Sequence, residues 1–177
     1  MEARFRQRPQ RGECAQYYFT YIDQVPDGDV TEILEQQLLE SLALLAEVDE
    51  GQASLSYAPG KWTLKQVVGH VVDVEWVFTH RALCFARGER QPIPGIEQDD
   101  WVAASKVELR SLADLSAELE SLRAANVRLF RSFDDEILAR TGTASGFEFS
   151  VRSMPYIIAG HELHHRKVLI ERYLQAR

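Results

Sequence analysis

The segment Ala159-Gly160-His161-Glu162-Leu163-His164-His165-Arg166 holds three of the chain's five histidines. His161 and His165 are four residues apart, so on a helix both project from one face, about one turn apart. Two imidazoles placed this way can ligate one metal ion, histidine being the commonest metal ligand. A further histidine, His70, sits in a second helix-periodic segment, Val68-Gly69-His70-Val71-Val72. Amphipathic helices bury their stripes by packing together, and bundle cores build metal sites from facing helices. The spacing therefore predicts a three-histidine metal site made of His70, His161 and His165.

The other candidates are weaker on geometric grounds. His164 lies about 60° from His161 and about 100° from His165 around a helix, so it serves as a substitute ligand, a support behind the ligands or a surface residue. His80 is roughly 15 Å further along its helix than His70, too far to join the same ion, and Cys84 fails likewise. His161-Glu162-Leu163-His164-His165 also matches H-E-x-x-H, a zinc-protease signature. The extended form of that signature needs glycine at 168 and histidine at 171, where Val168 and Glu171 stand. The protease reading is rejected, and Glu162 is expected to be a solvated or supporting residue rather than a general base.

Three neutral imidazoles leave a divalent ion's charge uncompensated and at least one position open. Such an ion lowers the pKa of bound water toward roughly 7. It can equally hold a thiol as thiolate, the nucleophilic form. The residues alone leave three readings open: an enzyme activating water or a small thiol, a metal-binding or ligand-sensing module without turnover, and a bundle with no functional metal.

Four segments must position these side chains. Residues 29–48 carry apolar positions Val30, Ile33, Leu34, Leu38, Leu42 and Leu45 behind Asp29 as N-cap, with Glu32 three residues on. Residues 63–88 open on Thr63 with Gln66 at the capping-box position, and His70 shares a face with Val67, Val74 and Val77. Residues 112–133 and 152–175 complete the set, Pro155 being tolerated only in a first turn. Between them, residues 50–61 read as a loop. Residues 88–110 read as a long crossing connection with room for one short helix, and 134–150 as a short extended pair. The expectation is an all-α four-helix bundle with a long crossover between helices two and three. Residues 1–16, with Arg4, Arg6, Arg8 and Arg11, read as a flexible tail. Tyr17–Ile22 reads as an aromatic stretch docked on the domain that spans 17–177.

Bulk properties narrow the partners. Among 177 residues, 45% are hydrophobic and 27% charged, and the net charge is -7. No dense basic block lies beyond the first eleven residues, which argues against nucleic acid. No apolar run approaches a membrane span, and no signal-peptide core follows the N-terminus, so a cytoplasmic protein with reduced Cys14 and Cys84 is expected.

The stretch Gly60-Lys61-Trp62-Thr63-Leu64-Lys65-Gln66-Val67-Val68-Gly69-His70 resembles the start of the second helix in the DinB/YfiT-like superfamily. Phe78-Thr79-His80-Arg81-Ala82-Leu83, Pro92-Ile93-Pro94-Gly95, Asp99-Asp100-Trp101 and Ala159-Gly160-His161-Glu162-Leu163-His164-His165 are similar to that family too. The resemblance runs from about residue 17 to the end. It implies a four-helix bundle, often a homodimer, binding zinc or nickel through three histidines that map to His70, His161 and His165. It further implies hydrolysis, or transfer and isomerisation with a low-molecular-weight thiol, on a small-molecule substrate; DNA binding is not implied.

Overall fold

The computed structural model describes residues 4–175, with side chains from Phe5 onward. Four long helices form the bundle: α2 (Val30–Ala46), α4 (Leu64–Ala86), α6 (Leu112–Arg131) and α8 (Ser153–Val168). The shorter helices are α1 (Phe19–Ile22), α3 (Glu50–Ala53), α5 (Gln98–Ala104) and α7 (Asp135–Leu138). Strands β1 (Thr141–Ala144) and β2 (Phe147–Ser150) form one antiparallel hairpin. The final turns widen into a π-helix over Leu169–Leu174.

Local chemistry explains the helix starts. Asp29 accepts from the backbone N–H of Thr31 and Glu32, and Ser111 from that of Asp114. Thr63 and Gln66 form the reciprocal capping box that their spacing predicts. The loop expected over 50–61 departs from expectation at its start. Asp49 and Gln52 form a second capping box, and that pair is enough to close the single turn α3.

Around the bundle α2 adjoins α6 and α8, while α4 adjoins α6 and α8. Glu50 ties the starts of α4 and α6 together, its carboxylate accepting from Lys65 Nζ at 2.7 Å and Leu112 N–H at 2.6 Å. These two neighbours therefore run parallel. A parallel pair needs a connection as long as the bundle, and residues 87–111 supply it as the expected crossover, carrying α5. Midway, Ile93 pairs with the hairpin: its N–H donates to the Thr143 carbonyl and its own carbonyl accepts from Ser145 N–H.

The tail expectation is corrected over residues 5–16. Phe5 and Cys14 are buried in the main core, and the Phe5 carbonyl accepts from the Tyr156 hydroxyl. Arg8 donates to the carbonyls of Ile22 and Val25, and Arg11 pairs with Asp23 while lying over the Phe19 ring. These arginines add to the turn at the end of α1, where the Ile22 carbonyl also accepts from the Val25 N–H. Residues 1–3 lie outside the described range. Both cysteines are free thiols, and none of the described helices is long and apolar enough to cross a membrane.

Candidate metal centre

Because α4 and α8 are neighbours, the inward face bearing His70 meets the one bearing His161 and His165. The three imidazoles offer ring nitrogens that all lie within 4.8 Å of one another. Nε2 of His70 and Nε2 of His161 stand 3.1 Å apart. Two nitrogens bound tetrahedrally at about 2.0–2.1 Å would be separated by about 3.3–3.4 Å, so the spacing suits a common ligand. Nδ1 of His165 is buried without a hydrogen-bond partner. An imidazole with an unpartnered buried nitrogen, in a cluster of three, suits cation binding. The donor set, all imidazole, suits zinc, nickel, copper or iron rather than magnesium or calcium.

The surroundings keep these rings neutral, the form a ligand must take. Burial pushes His70 down to about 4, with Asp99 acting weakly the other way. Burial, then the His70 and His164 charges, pushes His165 down to about 3. His161 is lowered well below its ordinary value, again first by burial and then by its histidine neighbours.

Aromatic rings fix the orientation. Trp62 packs against His70 with ring centroids 4.9 Å apart. The Tyr21 ring meets His161 and His164 edge-on at 5.4 and 5.5 Å. Gly160 permits this approach, since a Cβ there would overlap the Tyr21 carbonyl. His164 remains outside the cluster, half-buried between Tyr21 and His165. His80 and Cys84 sit away from the centre, Nε2 and Sγ 3.4 Å apart.

Glu162 differs from expectation: it is neither solvated nor turned toward the histidines. One residue along α8 from His161, it is buried in the opposite direction. It accepts from the Ser41 hydroxyl at 2.6 Å and from Arg123 at 2.8 Å. Arg123 also forms a two-pronged pair with Glu75, both contacts at 2.8 Å, and donates to the Leu34 carbonyl. Asn126 completes this network at Glu75.

A cavity of about 290 Å³ opens onto His70 and His161. It is lined by the α4 residues His70, Val74, Val77, Phe78 and Arg81, together with Tyr18, Tyr21, Ile96 and Ser145.

The sequence matches the DinB superfamily over residues 33–169. The chain belongs to that superfamily. Its bundle resembles that of YfiT from Bacillus subtilis, described as a probable metal-dependent hydrolase with an unusual four-helix bundle topology. The TM-score is 0.66 at 18% identity, covering 90% of this chain and 87% of that one. It also resembles the mycothiol-dependent maleylpyruvate isomerase, with TM-score 0.64 and 15% identity. That match covers 77% of this chain and only 58% of the isomerase. At these identities the likeness shows the fold. No curated protein matches the sequence.

Two features of this DinB-superfamily centre were not read from the sequence. Tyr21 reaches it through tertiary packing against Gly160, which leaves no local signal. Arg81 stands eleven residues after His70, three helical turns and so nearly the same face, a periodicity that could have marked it.

Proposed function

We propose that this protein is a metal-dependent enzyme in which His70, His161 and His165 hold one divalent ion, zinc or nickel, beside the substrate cavity. The observation that carries the reading is the convergence of three neutral imidazoles, His70 and His161 buried and His165 partly so, beside a cavity that His70 and His161 line. A divalent ion so held supplies an open, electrophilic position that acidifies a bound water or thiol. The residues around it do the rest. Trp62 and Tyr21 hold two of the rings in place, and Val74, Val77 and Phe78 keep the approach apolar, which strengthens electrostatic interactions near the ion. Glu162 is committed to Arg123 and Ser41, so no proton transfer is assigned to it.

The description of YfiT supports hydrolysis, with water as the activated nucleophile. The mycothiol dependence of the isomerase neighbour supports a second reading, with a low-molecular-weight thiol in that place. Elemental analysis of untagged protein tests the shared core. About one ion per chain is expected, lost in the His161→Ala/His165→Ala variant; one ion retained by that variant would overturn the site. Parallel screens of ester and amide hydrolysis and of thiol conjugation to an electrophile then separate the two chemistries, and no metal-dependent turnover in either would remove the enzymatic reading. A homodimer belongs to the same proposal, and light scattering at about twice 20.2 kDa is expected.

A further inference from the structure

Arg81 lies at the end of the cavity away from the histidines and is only 2% exposed. Its side chain folds back over the Phe78 ring, with the guanidinium 5.0 Å from the ring centroid, toward the His70 end. One terminal nitrogen donates to the Ser145 hydroxyl at 3.0 Å and to the Pro94 carbonyl at 3.4 Å. Nε is buried and has no hydrogen-bond partner among the described residues. No carboxylate of the described residues pairs with this cation; the ionisable group acting on it most directly is the Tyr18 hydroxyl. Burial pulls the guanidinium below its ordinary value, and Tyr18 opposes this.

A buried guanidinium without a counter-charge is costly unless something else supplies the charge. Arg123 shows how this same bundle treats a structural arginine: two carboxylates and a carbonyl meet its fork. Arg81 instead lines a cavity and meets only neutral groups, Ser145, Pro94 and Tyr18, among the described residues. Ser145 sharpens the contrast. It adopts a left-handed conformation (φ 52°) at a hairpin turn position where glycine is favoured, and its hydroxyl meets Arg81.

We propose that Arg81, with Ser145 and Tyr18, is the binding subsite for a carboxylate on the substrate. The reacting end of that substrate lies at the histidine centre, and an apolar chain of a few carbons spans Val74, Val77 and Phe78. A planar guanidinium whose charge no carboxylate of the described residues meets, and whose Nε is unpartnered among them, matches a carboxylate's two oxygens. The Cα atoms of His70 and Arg81 are about 16 Å apart along the helix axis, and the folded-back arginine shortens that gap. The substrate class is thus an elongated monocarboxylate rather than a compact or neutral molecule. The inference rests on the cavity being the active site, but the subsite itself needs no metal.

The test compares hexanoate and octanoate with the matching primary amides, by calorimetry or ligand-detected NMR. The proteins are the purified full chain, the Arg81→Gln and Arg81→Lys variants, and the metal-free His161→Ala/His165→Ala variant. The wild type is expected to prefer the carboxylate by about tenfold to a hundredfold. Arg81→Gln should bring the carboxylate to the affinity of the amide with metal content unchanged, and Arg81→Lys should restore part of the preference. The preference should survive in the metal-free variant. A wild type without preference would overturn the subsite, as would a preference that persists in Arg81→Gln or vanishes in the metal-free variant, since the ion would then be the carboxylate's partner. Loss of metal binding by the wild type with the Arg81 dependence intact would defeat the proposed metal enzyme and leave the subsite standing.

Discussion

Two polar centres lie back to back in the bundle, and α4 and α8 contribute to both. His70 and Glu75 are five residues apart on α4, while His161 and Glu162 are adjacent on α8, so each helix sends one side chain each way. In the Glu75–Arg123–Glu162 centre, the charges meet opposite charges and the remaining polar atoms find Ser41, Asn126 and a carbonyl. In the histidine centre, one buried ring nitrogen has no partner among the described residues, and the nearby cavity is lined by an arginine that no carboxylate among them meets. On the proposed reading the difference separates structure from function: a satisfied buried network needs nothing from solution, whereas the under-satisfied one would be completed by a ligand.

The satisfied centre should show the largest response to mutation. Arg123→Ala leaves two buried carboxylates facing each other, and a loss of about 3–5 kcal/mol in unfolding free energy is expected. Glu75→Ala should approach that value. His161→Ala, measured with chelator present, should change stability far less, because it removes a neutral ring and relieves the crowding of like groups. Urea denaturation of the three variants checks this. Equal losses for Arg123→Ala and His161→Ala would erase the distinction between the centres.

The next largest effect concerns the under-satisfied side alone. A ligand that binds only the folded state stabilises it by mass action, about 2.7 kcal/mol when its free concentration is a hundredfold above Kd. Chelation should therefore lower the thermal midpoint of the wild type and leave the His161→Ala/His165→Ala variant unmoved. A wild type indifferent to both zinc and nickel would show that the histidine centre, too, is complete without a ligand.

The two centres also differed in how much of them could be read in advance. The histidine side was legible because i and i+4 spacing on one helix, and His70 on the apolar face of another, are local patterns. The four helices and the crossover followed from stripes and caps in the same way. The charged centre was not legible, since Glu75, Arg123 and Glu162 look like ordinary solvent-facing residues until three helices bring them together across 39 and 48 residues of chain. The buried arm from Phe5 to Cys14 escaped for a related reason. Its arginines resemble a solvated tail, yet they are spent on the carbonyls and carboxylate at the end of α1. Patterns within one helix survive in the sequence, whereas pairings between elements do not.

Acid should distinguish the centres as well. His70 titrates at about 4 and His165 at about 3 because burial disfavours their charged forms, against about 6.5 in an unfolded chain. Between those values the unfolded chain binds protons that the folded one refuses. Without metal, stability from the histidines is fully present above about pH 7 and falls as pH drops through about 6.5. The fall continues until the folded rings titrate, near pH 3 to 4. The His161→Ala/His165→Ala variant should show a shallower fall between pH 7 and 5 than the wild type in chelator. Parallel curves would mean that the histidines are not held neutral in the folded state.

The smallest effect is expected at His164, and it defines the edge of the under-satisfied centre. This ring shares the motif with His161 and His165, but it is half-buried and touches Tyr21 and His165 only by ring contacts. Burial and the Lys167 charge lower its pKa, so it is neutral near pH 7. Its removal should loosen the packing beside His165 without removing a donor. His164→Ala is therefore expected to keep about one ion per chain and to weaken zinc binding by less than about tenfold, the lower bound when a hydrogen-bonded supporting residue is lost. A zinc-competition titration beside His165→Ala reads this directly. Metal lost from His164→Ala but retained by His165→Ala would move the third ligand to His164, because the two positions differ by about 100° around α8 and cannot both point at His70.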